Sequence, residues 1–219
     1  MVFLKYGLLC LFFLSAGIHL YASARQDKKL RNQTKPFILL FLLGFYCCAA
    51  DPVMATVVLA LLFSWLGDLL LIKKGTKWFA AGGVAFMISH IFFIVSYLKQ
   101  TDFGSVPVLA AVLLIAAFVT AALILFHYLR PHLPKALFYP MLAYLILNGL
   151  MNCFAWFRSL TIGGLAGLIT AVGALLFFVS DSSLFFVRFH KESRLKTHFL
   201  VMLTYSLGEF LIVLGLIMG

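Results

Sequence analysis

The sequence predicts an all-α polytopic membrane protein: a bundle of eight transmembrane helices with both termini on the non-cytoplasmic side. Three observations carry this expectation. Of 219 residues, 64% are hydrophobic and 11% charged, more apolar surface than a soluble domain of this length can bury. Polar clusters cut the chain into eight apolar stretches, most of them near the roughly 20 residues that cross a bilayer. Every Lys and Arg except Lys5, Lys99 and Arg158 falls after an odd-numbered stretch, which by the positive-inside rule puts those exits in the cytoplasm.

The first stretch, Phe3–Ala24, ends in "YASA", a pattern that signal peptidase can read. The basic cluster "RQDKKLR" follows it instead of preceding it, so a retained helix is expected. Phe37–Ala50 is short for a span and is expected either to be tilted less than the others or to be lengthened through Pro36. "AADPV" then makes an outer turn, with Asp51 as a solvated turn or cap residue. Val53–Ile72 carries Asp68 and Trp78–Leu98 carries His90. Val106–Phe126 leads into "HYLRPHLPK", where His127 and His132 read as ordinary cytoplasmic loop residues, as do His190 and His198 further on. Ala136–Phe157, Ile162–Val187 (with Asp181) and Phe199–Met218 (with Glu209) complete the set.

No linker is long enough to divide off a domain, so residues 1–219 read as one. "GGVAF" and "GGLAGL" are expected to be sites of close helix packing instead of phosphate loops. The four cysteines lie in apolar stretches without metal-type spacing and read as small core hydrophobes. The net charge of +10 follows the loops, so it signals topology and contact with anionic head groups. It gives no support to nucleic-acid binding.

The ionisable residues inside the stretches are His19, Asp68, His90, Asp181 and Glu209. A charge at the bilayer centre costs at least about 2.5–3.5 kcal/mol, so such groups face the bundle interior or a wet cavity and are functional by default. The bland alternative is a paired or neutral acid that ties helices together. Depth favours function. Asp68 lies five residues before Lys73 and Asp181 seven before Arg188, which sets both roughly 7–11 Å inside the inner boundary. A small residue precedes each acid, Gly67 and Ser180, and Ser64 shares the Asp68 face one turn back. His90 and Glu209 each lie thirteen residues past a lysine, Lys77 and Lys196, near mid-membrane. An acid near the inner face followed by an ionisable residue at mid-depth occurs once in each half, which hints at a four-plus-four repeat of residues 1–98 and 106–219.

At these residues the sequence resembles the YhhN/TMEM86 family of polytopic membrane proteins, the lysoplasmalogenases. The segments that carry the resemblance are "FSWLGDLLL", "GGVAFMISHIFFI", "PMLAYLILNGLM", "GALLFFVSDSSLFFVRF" and "LTYSLGEFLI", which together cover most of the chain from the third stretch to the eighth. Position by position, the family's membrane acids correspond to Asp68 and Asp181 and its histidine to His90. Tyr144, Met151 and Tyr205 match in residue type. Phe93 and Glu209 depart from an expected Tyr and Gln.

The resemblance implies hydrolysis of the sn-1 vinyl-ether bond of lysoplasmalogens, giving a fatty aldehyde and glycerophosphoethanolamine or glycerophosphocholine. Such a bond breaks when a proton adds to its β-carbon and water captures the resulting oxocarbenium-like cation. One carboxyl group held neutral and a second held negative suit that chemistry, as in glycoside hydrolysis, and neither a metal, a cofactor nor a nucleophilic serine is required. We assign Asp181 as proton donor and Asp68 as the stabilising carboxylate and water base; the reverse is open on sequence alone. Ser64, His90, Tyr144, Ser180, Tyr205 and Glu209 would support them, and His19 would line the entrance. The inner-face cations Lys73, Lys74, Lys77 and Arg188, with Lys191, Arg194 and Lys196, flank the expected cavity, and a subset would hold the substrate phosphate.

Two other classes compete. A metal-dependent intramembrane lipid hydrolase would draw ligands from His19, His90, His198, Asp68 and Asp181, although no pair of them sits one turn apart on a helix. A proton-coupled transporter would use the same acids as a relay, although the stretches lack breaks at mid-depth. G-x-S-x-G, Walker A and G-x-G-x-x-G motifs are missing. Short loops and bare termini fit a multi-pass protein of the bacterial inner membrane, with its site toward the cytoplasmic leaflet.

Overall fold

Eight long helices follow one another in the computed structural model, which describes residues 2–190 and 198–219: α1 (Val2–Ala24), α2 (Lys28–Ala49), α3 (Ala55–Ile72), α4 (Thr76–Leu98), α5 (Val108–Leu129), α6 (Phe138–Ile162), α7 (Gly164–Phe189) and α8 (His198–Met218). Short 3₁₀ turns at Phe103–Ser105, Arg130–His132 and Lys135–Leu137 punctuate the connections, and the described residues contain no strand. Seven helices are long and apolar enough to cross a membrane, so the protein is a multi-pass helical membrane protein. The helix outside that set is α2, whose first two turns carry Lys28, Lys29, Arg31 and Lys35.

α2 begins nine residues ahead of the expected Phe37. The Asp27 carboxylate caps it, accepting from the backbone N–H of Lys29 (3.0 Å) and Leu30 (3.1 Å). Pro36 stays inside the helix despite the missing N–H. Its carbonyl accepts from Trp65 Nε1 of α3 at 2.9 Å, which pins α2 to α3. The early start makes Arg31 and Lys35 helix residues, whereas the sequence placed them in a loop.

The second difference is at Arg158, expected in an outer loop. α6 runs on to Ile162 and turns into α7 at Gly163 and Gly164, whose φ values of 68° and 60° lie in the left-handed region that favours glycine. Arg158 is fully buried. Its guanidinium donates to Gln100 Oε1 (2.7 Å), Thr170 Oγ1 (2.7 Å) and the Gly215 carbonyl (3.1 Å), so neutral oxygens from three neighbouring segments satisfy the cation.

One core cluster runs through the bundle, with Phe12, Leu39, Leu61, Phe177 and Ile212 among its fully buried members. α5 stays at the edge, burying Phe118, Ala122 and Leu129. α7 and α8 pack backbone to backbone: a Cβ on Gly173 would lie 2.7 Å from the Ile212 nitrogen, and one on Gly208 2.9 Å from the Gly173 carbonyl. Replacing Gly173 by Leu is therefore expected to prise the two helices apart at a cost of roughly 1–3 kcal/mol. A detergent thermal melt that left the midpoint unchanged would show that this contact is not tight.

Candidate active site

Gly67 lacks a side chain where α3 meets α4, and a Cβ there would sit 2.7 Å from the Phe86 ring. That close approach sets the next residue, Asp68, into a cavity of about 260 Å³ lined from α1, α2, α3, α4, α7 and α8. Asp181 of α7 lines the same cavity. The two acids, expected to converge from helices three and seven, thus share one space.

Each acid is held by a tyrosine, and their other partners differ. Asp68 Oδ2 accepts from the Tyr205 hydroxyl at 2.9 Å, and its Oδ1 is 3.0 Å from Lys35 Nζ. Asp181 Oδ2 accepts from the Tyr144 hydroxyl (2.6 Å) and from Asn148 Nδ2 (2.8 Å). Its Oδ1 has no hydrogen-bond partner among the described residues. Asn152 Nδ2 donates to Asn148 Oδ1 at 3.2 Å, which fixes the Asn148 amide with its NH₂ toward the acid. The pocket therefore places one ammonium at Asp68, while only neutral donors bond Asp181.

His90 is fully buried, with Nε2 3.8 Å from Asp181 Oδ2, beyond hydrogen-bond reach. Its ring meets Tyr144 and Phe177 edge-on, at 5.3 and 5.1 Å between centroids. Ser64, expected beside Asp68, bonds the Ser89 hydroxyl at 2.8 Å. Ser180 donates to the Val201 carbonyl (2.8 Å) and so ties α7 to α8 without touching an acid. Glu209 is fully buried, and neither carboxylate oxygen has a hydrogen-bond partner among the described residues. His19 lines the cavity with Nδ1 2.9 Å from Thr34 Oγ1.

The cations of the cavity differ from those expected. Lys73, Lys74 and Lys77 are exposed and lie outside its lining, Lys73 sitting over the Trp78 ring at 3.8 Å. They follow the end of α3, whereas the basic wall comes from α2 and α7: Arg31 and Lys35 join Arg188 there. Lys191, Arg194 and Lys196 lie outside the described residues. Among the described residues no three His, Cys, Asp or Glu side chains group closely enough to hold a metal ion.

Sequence reasoning missed Lys35, Arg31 and Asn148. The signal for the first two was Asp27 ahead of "KKLR", an N-cap that starts a helix early. "NGLMN" held the signal for the third, with Asn148 and Asn152 one turn apart in an otherwise apolar helix.

Helix-only architecture, seven membrane-length helices and an acid pair in a buried, partly basic cavity define a polytopic membrane protein with a polar interior site. The YhhN family model matches residues 30–216, and the chain belongs to that family. No curated protein and no solved structure matches it.

Proposed function

We propose that the protein is a lysoplasmalogenase, an intramembrane hydrolase that cleaves the sn-1 vinyl-ether bond of lysoplasmalogens. The observation that supports this most is the unequal surroundings of two aspartates in one cavity. Lys35 matches Asp68 as a carboxylate, whereas Asp181, without a cation, suits the acid that carries a proton. In this assignment Asp181 gives its proton to the β-carbon of the vinyl ether, and the α-carbon becomes an oxocarbenium-like centre. Asp68 stabilises that positive charge and takes a proton from water as its oxygen bonds to the α-carbon. The hemiacetal so formed collapses: its hydroxyl gives up its proton as the carbonyl forms, the bond to the glycerol oxygen breaks and that oxygen takes a proton in exchange, and a fatty aldehyde leaves. A proton from Asp68 or solvent restores Asp181.

Tyr205 and Lys35 position Asp68; Tyr144 and Asn148 position Asp181. His90 forms the wall behind Asp181. Arg31 and Arg188, on the same cavity, serve the phosphate of the head group, in keeping with the match between guanidinium and phosphate oxygens. Eight spans with both termini outside would set this basic end at the cytoplasmic leaflet, as expected of a bacterial inner-membrane enzyme.

The test is to offer the purified protein a lysoplasmalogen beside its ester and saturated-ether analogues. Aldehyde is expected from the vinyl ether and nothing from the other two, since neither has a carbon–carbon double bond to protonate. Fatty acid released from the ester would make the protein a lysophospholipase instead.

A further inference from the structure

An apolar groove lies between α4 and α6, lined by Ala80, Gly83, Val84 and Met87 on one side and by Leu137, Pro140 and Met141 on the other. Its inner wall is aromatic: Phe79, Tyr144 and Phe185. Val84 is 55% exposed, so the groove opens on the outer face of the bundle, where lipid would lie. Two of the wall residues join it to the acid cavity. Phe79 lines both spaces, with the Arg188 guanidinium over its ring at 5.4 Å. Tyr144 lines the groove, and its hydroxyl donates to Asp181. A chain lying in the groove would therefore point at the proposed proton donor.

The glycine pair of "GGVAF" divides its labour accordingly. A Cβ on Gly82 would meet Leu71 at 3.0 Å, so this glycine serves close packing of α3 on α4. A Cβ on Gly83 would meet nothing within 4 Å, and helix packing does not account for it. Its missing side chain leaves the groove floor open.

We propose that the groove between α4 and α6 holds the hydrocarbon chain of a single-chain lipid substrate, which reaches Asp181 laterally past Phe79 and Tyr144 while its phosphate lies in the cavity. This rests on the hydrolase reading and assigns to that site a chain-binding arm. An apolar wall offers nothing to a polar ligand, and the step from apolar groove to basic cavity at Phe79 matches the step from chain to phosphate in such a lipid.

Gly83→Leu projects a side chain into the groove from a position where a Cβ meets nothing within 4 Å. With sixteen-carbon alkenyl lysolipid its aldehyde release is expected to fall at least tenfold relative to a four-carbon analogue, whose chain is too short to lie along the groove. Gly7→Leu adds the same side chain at an exposed helix glycine in open space on α1 and is expected to leave the long-to-short ratio unchanged. A ratio unaltered by Gly83→Leu, or equal loss on both chains, overturns the proposal. Independently of turnover, a saturated-ether lysolipid with a diazirine in its chain is expected to label residues 79–87 and 137–144; labelling confined to other helices also overturns it. Wild-type protein that releases no aldehyde from any vinyl ether defeats the hydrolase reading instead, and the labelling pattern still decides the groove.

Discussion

Replacing Asp181 by Asn is expected to leave a folded protein whose aldehyde release falls by about 10²- to 10⁴-fold, the contribution of a positioned general acid. The two carboxylate oxygens explain why fold and activity should separate. Both local donors, Tyr144 and Asn148, take Oδ2, and the amide oxygen of an asparagine can replace it without losing either bond. The NH₂ then occupies the place of Oδ1, which bonds no described residue. What disappears is the transferable proton, since an amide does not give one up at neutral pH. Thermal midpoint and aldehyde release, measured on the same preparation, check the separation. Full turnover by the variant would remove Asp181 from the chemistry; loss of the fold would show that the acid is a helix tie.

The same physics decides what could be read from the sequence. Asp68 and Asp181 stand out because an acid in an apolar run is costly anywhere except an interior site, so burial and purpose are inferred together. Their mutual approach was legible only as matched depth, because it is made by tertiary contacts such as the Tyr205–Asp68 bond, 137 residues apart. Lys35 was hidden for a different reason. A cation just past an odd-numbered apolar stretch satisfies the positive-inside rule whether it faces lipid head groups or a carboxylate, and the linear pattern is the same for both. Asn148 is neutral and costs little enough to escape notice, although it bonds the acid directly. Arg158 shows the reverse error: counted as a loop charge, it is the buried tie among α6, α7, α8 and Gln100. The apolar stretches located six of the helices well, and the misplaced boundaries, the start of α2 and the α6–α7 turn, are those where polar residues lie inside helices.

Lys35 also carries the second large effect. Lys35→Met keeps most of the apolar stem but leaves Asp68 only 2% exposed, with Tyr205 as its remaining partner. Removing one member of a buried ion pair costs about 3–5 kcal/mol, and the lower end applies here because the lysine side chain is 16% exposed. The variant is expected to melt well below the parent and to lose most turnover, since Asp68 can then escape its unpaired charge only by binding a proton, which removes the carboxylate proposed to stabilise the cation. The double variant Lys35→Met/Asp68→Asn separates the two consequences. With neither charge present, stability should return to near the parental value, because a neutral amide can still accept from Tyr205, yet activity should stay absent. A cation that served only to orient the helix in the membrane, or only to attract a phosphate, would show no such rescue. Equal melting temperatures for the single and double variants would therefore mean that Lys35 and Asp68 do not form the working pair.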